Sequence, residues 1–271
     1  RQVNGAFAER FYKTAIELNK NAEEIKVEYG QSFNFYNIEI KNSPELICIT
    51  QNETSTGVAV NPENIYNLKK NNPESLLAID IVTSAPYVNI DYTKIDCAFF
   101  SVQKGFGLPA GLGVLIVNEK CIEKAQSLKN KNHNIGSYHN FISLQENAVK
   151  YQTTETPNVL GIYLLGKVCE TLNRYGIDKI RIETDEKANI LYNFFDNNKL
   201  YKPFIENIAD RSKTIINIET ENKQNEIKKS LSDIGIIVGS GYGKLKDSQI
   251  RIANFPMHRV EDVYRIIEVL S

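Results

Sequence analysis

Four short apolar runs limit what this chain can become. They are LICIT (Leu46–Thr50), LLAIDIV (Leu76–Val82), the run from Ile95 to Phe100, and GVLIV (Gly113–Val117). Each has the length of a strand, and none shows the strict polar–apolar alternation of a half-exposed one. Continuous apolar strands belong to a sheet covered on both faces, which is characteristic of parallel sheets. Helical patterns flank them. Gly5–Asn19 places Phe7, Phe11, Ala15 and Leu18 at helical spacing, and Asn61–Asn72 reads as a helix with Pro62 near its start. Strands alternating with helices over this length argue for a parallel α/β sheet. Ligands of such sheets sit beyond the C-terminal ends of the strands. The polar loop Gln51–Gly57 (QNETSTG), Asp80 and Lys104 all fall at that edge.

The rest of the chain is patterned differently. KVEY (Lys26–Tyr29) reads as a short strand, and GVLIV as a second buried strand after the lysine. Past Glu119 the chain turns polar and asparagine-rich, which predicts a long surface excursion. A Thr-rich loop, YQTTETPN (Tyr151–Asn158), opens a helix over Val159–Arg174 that ends at Gly176; a second helix covers Lys179–Asn197. From Tyr201 the elements shorten. Strands are expected near Thr214–Ile218, Ile236–Val238 and Gln249–Ala253, with helices at Gln224–Ile234 and Val260–Leu270. This predicts a large domain over 1–175 and a smaller C-terminal α+β domain over 176–271, joined by helix.

Bulk properties exclude several classes. The 271 residues suffice for one large or two modest domains. A net charge of -1 gives no nucleic-acid footprint. No apolar run approaches the roughly 20 residues that span a bilayer, and no secretory signal is expected. Cys48, Cys97, Cys121 and Cys169 lack paired metal spacing and read as reduced thiols of a cytoplasmic protein. His133, His139 and His258 form no metal motif.

Two residues carry chemistry. Lys104 stands between apolar Ala98–Phe100 and a turn rich in Gly and Pro. Held there it loses hydration, its ammonium deprotonates more easily, and a neutral amine condenses with a carbonyl to a Schiff base. Asp80 lies within a very apolar strand, where a carboxylate is costly without a partner. Two glycine strings are set aside. Gly105–Ala110 matches G-x-G-x-x-A but contains Pro109 and runs into a strand, and Gly239–Lys244 (GSGYGK) has the wrong spacing for a phosphate loop. Both read as turns.

SVQKGFGLPAGLGVLIV, NETSTGV and DIVTSAP, in that setting, resemble the class V aminotransferases, with the phosphoserine and alanine–glyoxylate branches most alike. The resemblance runs from Gly5 to the C-terminal helix. It implies the type I fold of pyridoxal 5'-phosphate (PLP) transferases, with a mostly parallel sheet. It also implies that Lys104 holds PLP and shuttles a proton, and that Asp80 pairs with the pyridine nitrogen. Gln103 would contact the cofactor phosphate, and Thr54 the 3'-oxygen. Phe7 would stack on the ring where relatives place a tryptophan. Arg251 would grip the substrate α-carboxylate with its planar fork. An amino acid and a 2-oxo acid would be the substrates, exchanged in a homodimer with active sites at the subunit interface.

There are departures. The family's Asn-Thr-Pro from the neighbouring subunit is Glu155-Thr156-Pro157 here. Thr156 can still donate to a phosphate, whereas Glu155 would repel it. No histidine immediately precedes Arg251. The family's first phosphate-binding loop is expected before Arg1, so a natural N-terminal segment would complete the site. A cysteine desulfurase-like lyase is an alternative, opposed by Gln103 where those relatives carry histidine. A non-catalytic binding protein is another, opposed by the joint presence of Lys104, Asp80 and Arg251.

Overall fold

A computed structural model describes residues 2–35, 38, 40 and 42–271. The chain begins with β1 (Gln2–Val3), α1 (Ala6–Glu17), β2 (Ile25–Lys26), β3 (Leu46–Thr50), β4 (Asn52–Glu53) and β5 (Val58–Ala59). Next come α2 (Pro62–Asn71), β6 (Leu76–Asp80), β7 (Cys97–Ser101) and β8 (Gly113–Val117). Helices α3 (Glu119–Asn130), α4 (Phe141–Ala148), α5 (Val159–Tyr175) and α6 (Ile177–Asn197) follow. The last part holds β9 (Lys202–Pro203), β10 (Ile215–Glu219), α7 (Gln224–Asp233), β11 (Gly239–Ser240), β12 (Gln249–Ala253) and α8 (Val260–Leu270).

The apolar runs form one four-stranded sheet in the order β3-β6-β7-β8. Its first three strands are parallel, with Thr50 opposite Asp80 and Asp80 opposite Phe99. Leu77, Ile79 and Ala98 are fully buried, because helices cover both faces of the central strands. GVLIV departs from expectation. β8 is an antiparallel edge strand, and it is half-exposed rather than buried. The expected surface excursion past Glu119 contains two helices, α3 and α4. Asn118 and Asn140 open them, each side chain accepting from a backbone N–H in the first turn, a capping signal the polar composition masked. Of KVEY only Lys26 is in a strand, and the strand expected at Ile236–Val238 falls instead at Gly239–Ser240.

A buried carboxylate locks the N-terminal ends of β6 and β7. Asp96, only 3% exposed, accepts from the Leu77 N–H at 2.7 Å, the Asn118 amide at 2.8 Å and Lys69 Nζ at 2.7 Å. Burial alone would raise its pKa, but these donors outweigh it and hold the carboxyl below its ordinary range.

The second sheet is antiparallel, in the order β11-β12-β10-β9. Ile216, Ile218 and Ile250 fill its inner face against Leu191 and Phe195 of α6. That helix serves both cores, since Ile180 near its start packs with the first sheet's cluster.

Candidate active site

Lys104 stands three residues past the end of β7, in a turn fixed from both sides. Behind it, the Phe106 ring stacks on Phe100 with centroids 4.9 Å apart and planes 13° from parallel. Ahead, a Cβ on Gly105 would run into the Ala85 carbonyl oxygen, so only glycine lets the turn close there. The Gly107 N–H donates to the Lys104 carbonyl at 3.0 Å. The Lys104 side chain is half-buried. Burial pulls its pKa below the ordinary lysine value, and the Arg251 charge pulls the same way.

Asp80 is the last residue of β6 rather than an interior one. Its Oδ1 accepts from the Val82 N–H at 2.9 Å. Lys104 follows the adjacent parallel strand β7, so carboxylate and amine stand at neighbouring strand ends on the same edge. Beyond Asp80, the Thr83 hydroxyl accepts from the Thr54 hydroxyl at 3.0 Å and the Asn52 amide at 2.7 Å.

The expected polar loop, Gln51–Gly57, is buried throughout and partly a hairpin, since β4 pairs with β5. Its centre is Glu53, which has no exposed surface. One carboxylate oxygen accepts from the Ala8 N–H at 2.7 Å; the other accepts from the Ser55 hydroxyl at 2.7 Å, the Ser55 N–H at 3.0 Å and the Phe7 N–H at 3.4 Å. The Ser55 hydroxyl accepts from the Ala6 N–H at 2.9 Å. The first turn of α1, which carries Phe7, is therefore capped from a loop some 45 residues away.

Arg251 lies on β12, opposite Asn217 on one side and Gly239 on the other. Its Nε donates to the Ser240 carbonyl at 2.7 Å, and its guanidinium is 5.7 Å from the Tyr242 ring centroid. Tyr242 in turn packs against Phe7, with centroids 5.0 Å apart, and its hydroxyl accepts from Arg10 Nη2 at 3.1 Å. GSGYGK is thus not merely the turn expected, because it cradles this arginine. Burial lowers the Arg251 pKa, opposed by Tyr242 and Glu53. The Asn217 amide donates to the Ser55 carbonyl at 3.0 Å and ties this sheet to the buried loop.

Lys104 and Arg251 thus feel one another's charge, Arg251 and Phe7 share Tyr242, and Thr54 joins the segment after Asp80. Two expected residues lie apart from these contacts. The Gln103 and Thr156 side chains are both exposed. Next to Thr156, Glu155 pairs with His139 Nε2 at 2.6 Å and accepts from the Thr154 hydroxyl. Those partners, Thr154 first, lower the Glu155 pKa. Glu53, Thr83 and Tyr242 were not foreseen. The one local signal was the dense polar string NETST, whose burial demands that its groups bond to something. Burial raises the Cys121 and Cys169 thiols and pushes Cys97 up to about 12, the reverse of an activated thiolate.

Known proteins resemble this chain in sequence and in fold. A model of the aminotransferase class-V family matches residues 13–252, and the chain belongs to that family. Its members are PLP-dependent enzymes. The phosphoserine aminotransferase of Rhodococcus opacus (strain B4) is 27% identical over 232 residues, covering 84% of this chain and 61% of that protein. That of Corynebacterium glutamicum (strain R) is 28% identical over 228 residues, covering 82% and 59%. The chain thus spans about 60% of the length of these curated relatives. The crystal structure of a phosphoserine aminotransferase from Cytophaga hutchinsonii is 43% identical, with a TM-score of 0.97 over 99% of this chain and 74% of that one. An alanine–glyoxylate aminotransferase from Nostoc sp., 21% identical, shares the fold with a TM-score of 0.85 over all of this chain and 74% of its own.

Proposed function

We propose that this protein passes an amino group between an amino acid and a 2-oxo acid with PLP as cofactor, phosphoserine and 2-oxoglutarate being the first pair to try. The observation that carries the proposal is the placing of Asp80 at, and Lys104 just beyond, the C-terminal ends of adjacent parallel strands, with Arg251 close enough to depress the lysine pKa. The residues fit the cofactor. An amine, a carboxylate and the Thr54 hydroxyl suit its aldehyde, pyridine nitrogen and 3'-oxygen. The Ser84 hydroxyl, four residues past Asp80, is buried and without a hydrogen-bond partner among the described residues, a donor left over for a ligand.

When bound, PLP supplies a carbonyl for an amine to engage and a ring that accepts electron density. The chain's own groups do the rest. Lys104 would hold the cofactor through its aldehyde carbon, and its freed amine would carry the proton from the donor's α-carbon to that carbon. Its lowered pKa keeps more of the amine in the basic form near neutrality. Asp80 would hold a proton on the pyridine nitrogen. Phe7 would cover one face of the ring, and Gln103 would contact the phosphate. Arg251 orients the α-carboxylate by a two-point bond. Thr156 serves the cofactor of a neighbouring copy, which makes the working unit a homodimer with sites at the interface. The large domain ends near residue 175 and the small one begins at 176. The cytoplasm is the proposed location; among the described residues no helix is long and apolar enough to cross a membrane.

The test is to incubate the protein with PLP, phosphoserine and 2-oxoglutarate and measure glutamate by chromatography, then repeat with other amino acids. Glutamate formed at catalytic turnover supports the reading. No product amino acid from any donor contradicts it.

A further inference from the structure

Glu53 has no counterpart among the roles assigned above, yet it is the one carboxylate of the loop that carries Thr54. It has no exposed surface, and both its oxygens accept hydrogen bonds. Two of the donors, the Phe7 and Ala8 N–H groups, belong to the open first turn of α1, where a helix leaves its amides unpaired and a negative charge meets the favourable end of the dipole. Gly5, the residue before that helix, offers no side-chain cap, and a Cβ there would collide with the Glu53 side chain and the Ser55 hydroxyl. Helix and loop are therefore shaped to each other. The same loop reaches the other way, through Asn52 and Thr54 to Thr83.

We infer that Glu53 is a positioning residue that sets Phe7 over the cofactor ring by holding the first turn of α1. This rests on the proposed PLP reading. The carboxylate is suited to the task because every donor facing it is an N–H or O–H. An amide in its place would turn one NH₂ toward an N–H group, losing an acceptor and adding a clash of like dipoles. Glu53 also offsets the Arg251 charge, since its negative field raises that pKa against the effect of burial.

The chain has no tryptophan, which makes a clean reporter possible. In a Phe7→Trp variant the introduced indole is the only one, and bound PLP should quench its emission. Titrating this variant with PLP, with and without Glu53→Gln, reads the geometry without any turnover. We expect Glu53→Gln to lose most of the quenching at saturating PLP and to weaken PLP binding roughly tenfold, about 1.4 kcal/mol. Equal quenching and equal affinity in the two proteins would overturn the inference. If Glu53→Gln does not fold, as judged by circular dichroism, Ser55→Ala takes its place. It leaves the carboxylate and removes the Ala6 acceptor and one carboxylate donor. Partial loss of quenching then supports the inference, and unchanged quenching contradicts it. If the parent protein, folded, binds no PLP by absorbance, the cofactor reading itself has failed, a result distinct from either outcome for Glu53.

Discussion

Strands β6 and β7 present opposite characters at their two ends. At the N-terminal end Asp96 is buried with Lys69, the Leu77 N–H and the Asn118 amide, and its charged form is favoured. At the C-terminal end Lys104 is half-buried near a like charge, and its charged form is disfavoured. One end spends its electrostatics on holding two strands in register. The other disfavours an ammonium, and the neutral amine is the form that attacks a carbonyl. A sheet of this kind separates the two tasks because its helices and crossovers cover the faces and leave the strand ends open.

The largest expected effect sits at the reactive end. Lys104→Ala should cut amino transfer at least about a thousandfold, while thermal unfolding shows a midpoint equal to or above that of the parent. A large loss of stability would mean that Lys104 is a structural ion and would erase the contrast. At the other end Asp96→Ala should cost about 3 kcal/mol of unfolding free energy in a urea titration, because it leaves Lys69 and the Leu77 N–H without their shared acceptor. Transfer measured well below the melting temperature should barely change. A marked loss of turnover with normal stability would place Asp96 in the chemistry instead.

Gly105→Ala comes next, at about 1–3 kcal/mol, the usual cost of overpacking. Unlike Asp96→Ala it should also lower turnover, since the turn it distorts carries Lys104. Arg251→Lys is milder. The fork becomes a point charge, so KM for every amino donor should rise together with little change in kcat. A rise confined to one donor would mean that Arg251 reads a side chain.

The pH response sharpens the comparison further. Asp96 has a folded pKa below its unfolded value of about 3.9, so its stabilisation is complete above that value and is lost as pH falls through the folded pKa. Asp96→Asn should flatten the acid limb of stability against pH. Lys104 also has a lowered folded pKa, but for a base the sign means destabilisation at neutral pH. That penalty fades as pH rises from the folded pKa toward the unfolded value of about 10.4, so Lys104→Met should gain stability near neutrality and lose the upward slope in alkali.

The sheet was legible because its strands are apolar without interruption. LICIT and QIRIA have the limits the sequence marked, and so does α8. GVLIV misled because composition does not distinguish a central strand from an edge strand; its neighbours do. The candidate site was legible where one residue type must have one reason to be there. Lys104 and Asp80 stood out because an amine in a glycine turn and a carboxylate in an apolar run each require a reason. Glu53 and Tyr242 did not stand out. Their partners lie some 45 and 232 residues away, at Ala8 and Arg10, and no local pattern encodes such a contact. The polar string around Glu53 read as a loop at the ligand edge of the sheet, and only the fold shows that it is buried there.

The central claim is that one amine, Lys104 Nζ, engages the cofactor aldehyde. The direct measurement is to load the protein with PLP, reduce with borohydride, digest, and locate the added mass by tandem mass spectrometry. We predict a single modified peptide with the mass on Lys104, absent from Lys104→Ala. Modification of another lysine in the parent, or an unaltered yield in Lys104→Ala, would contradict it.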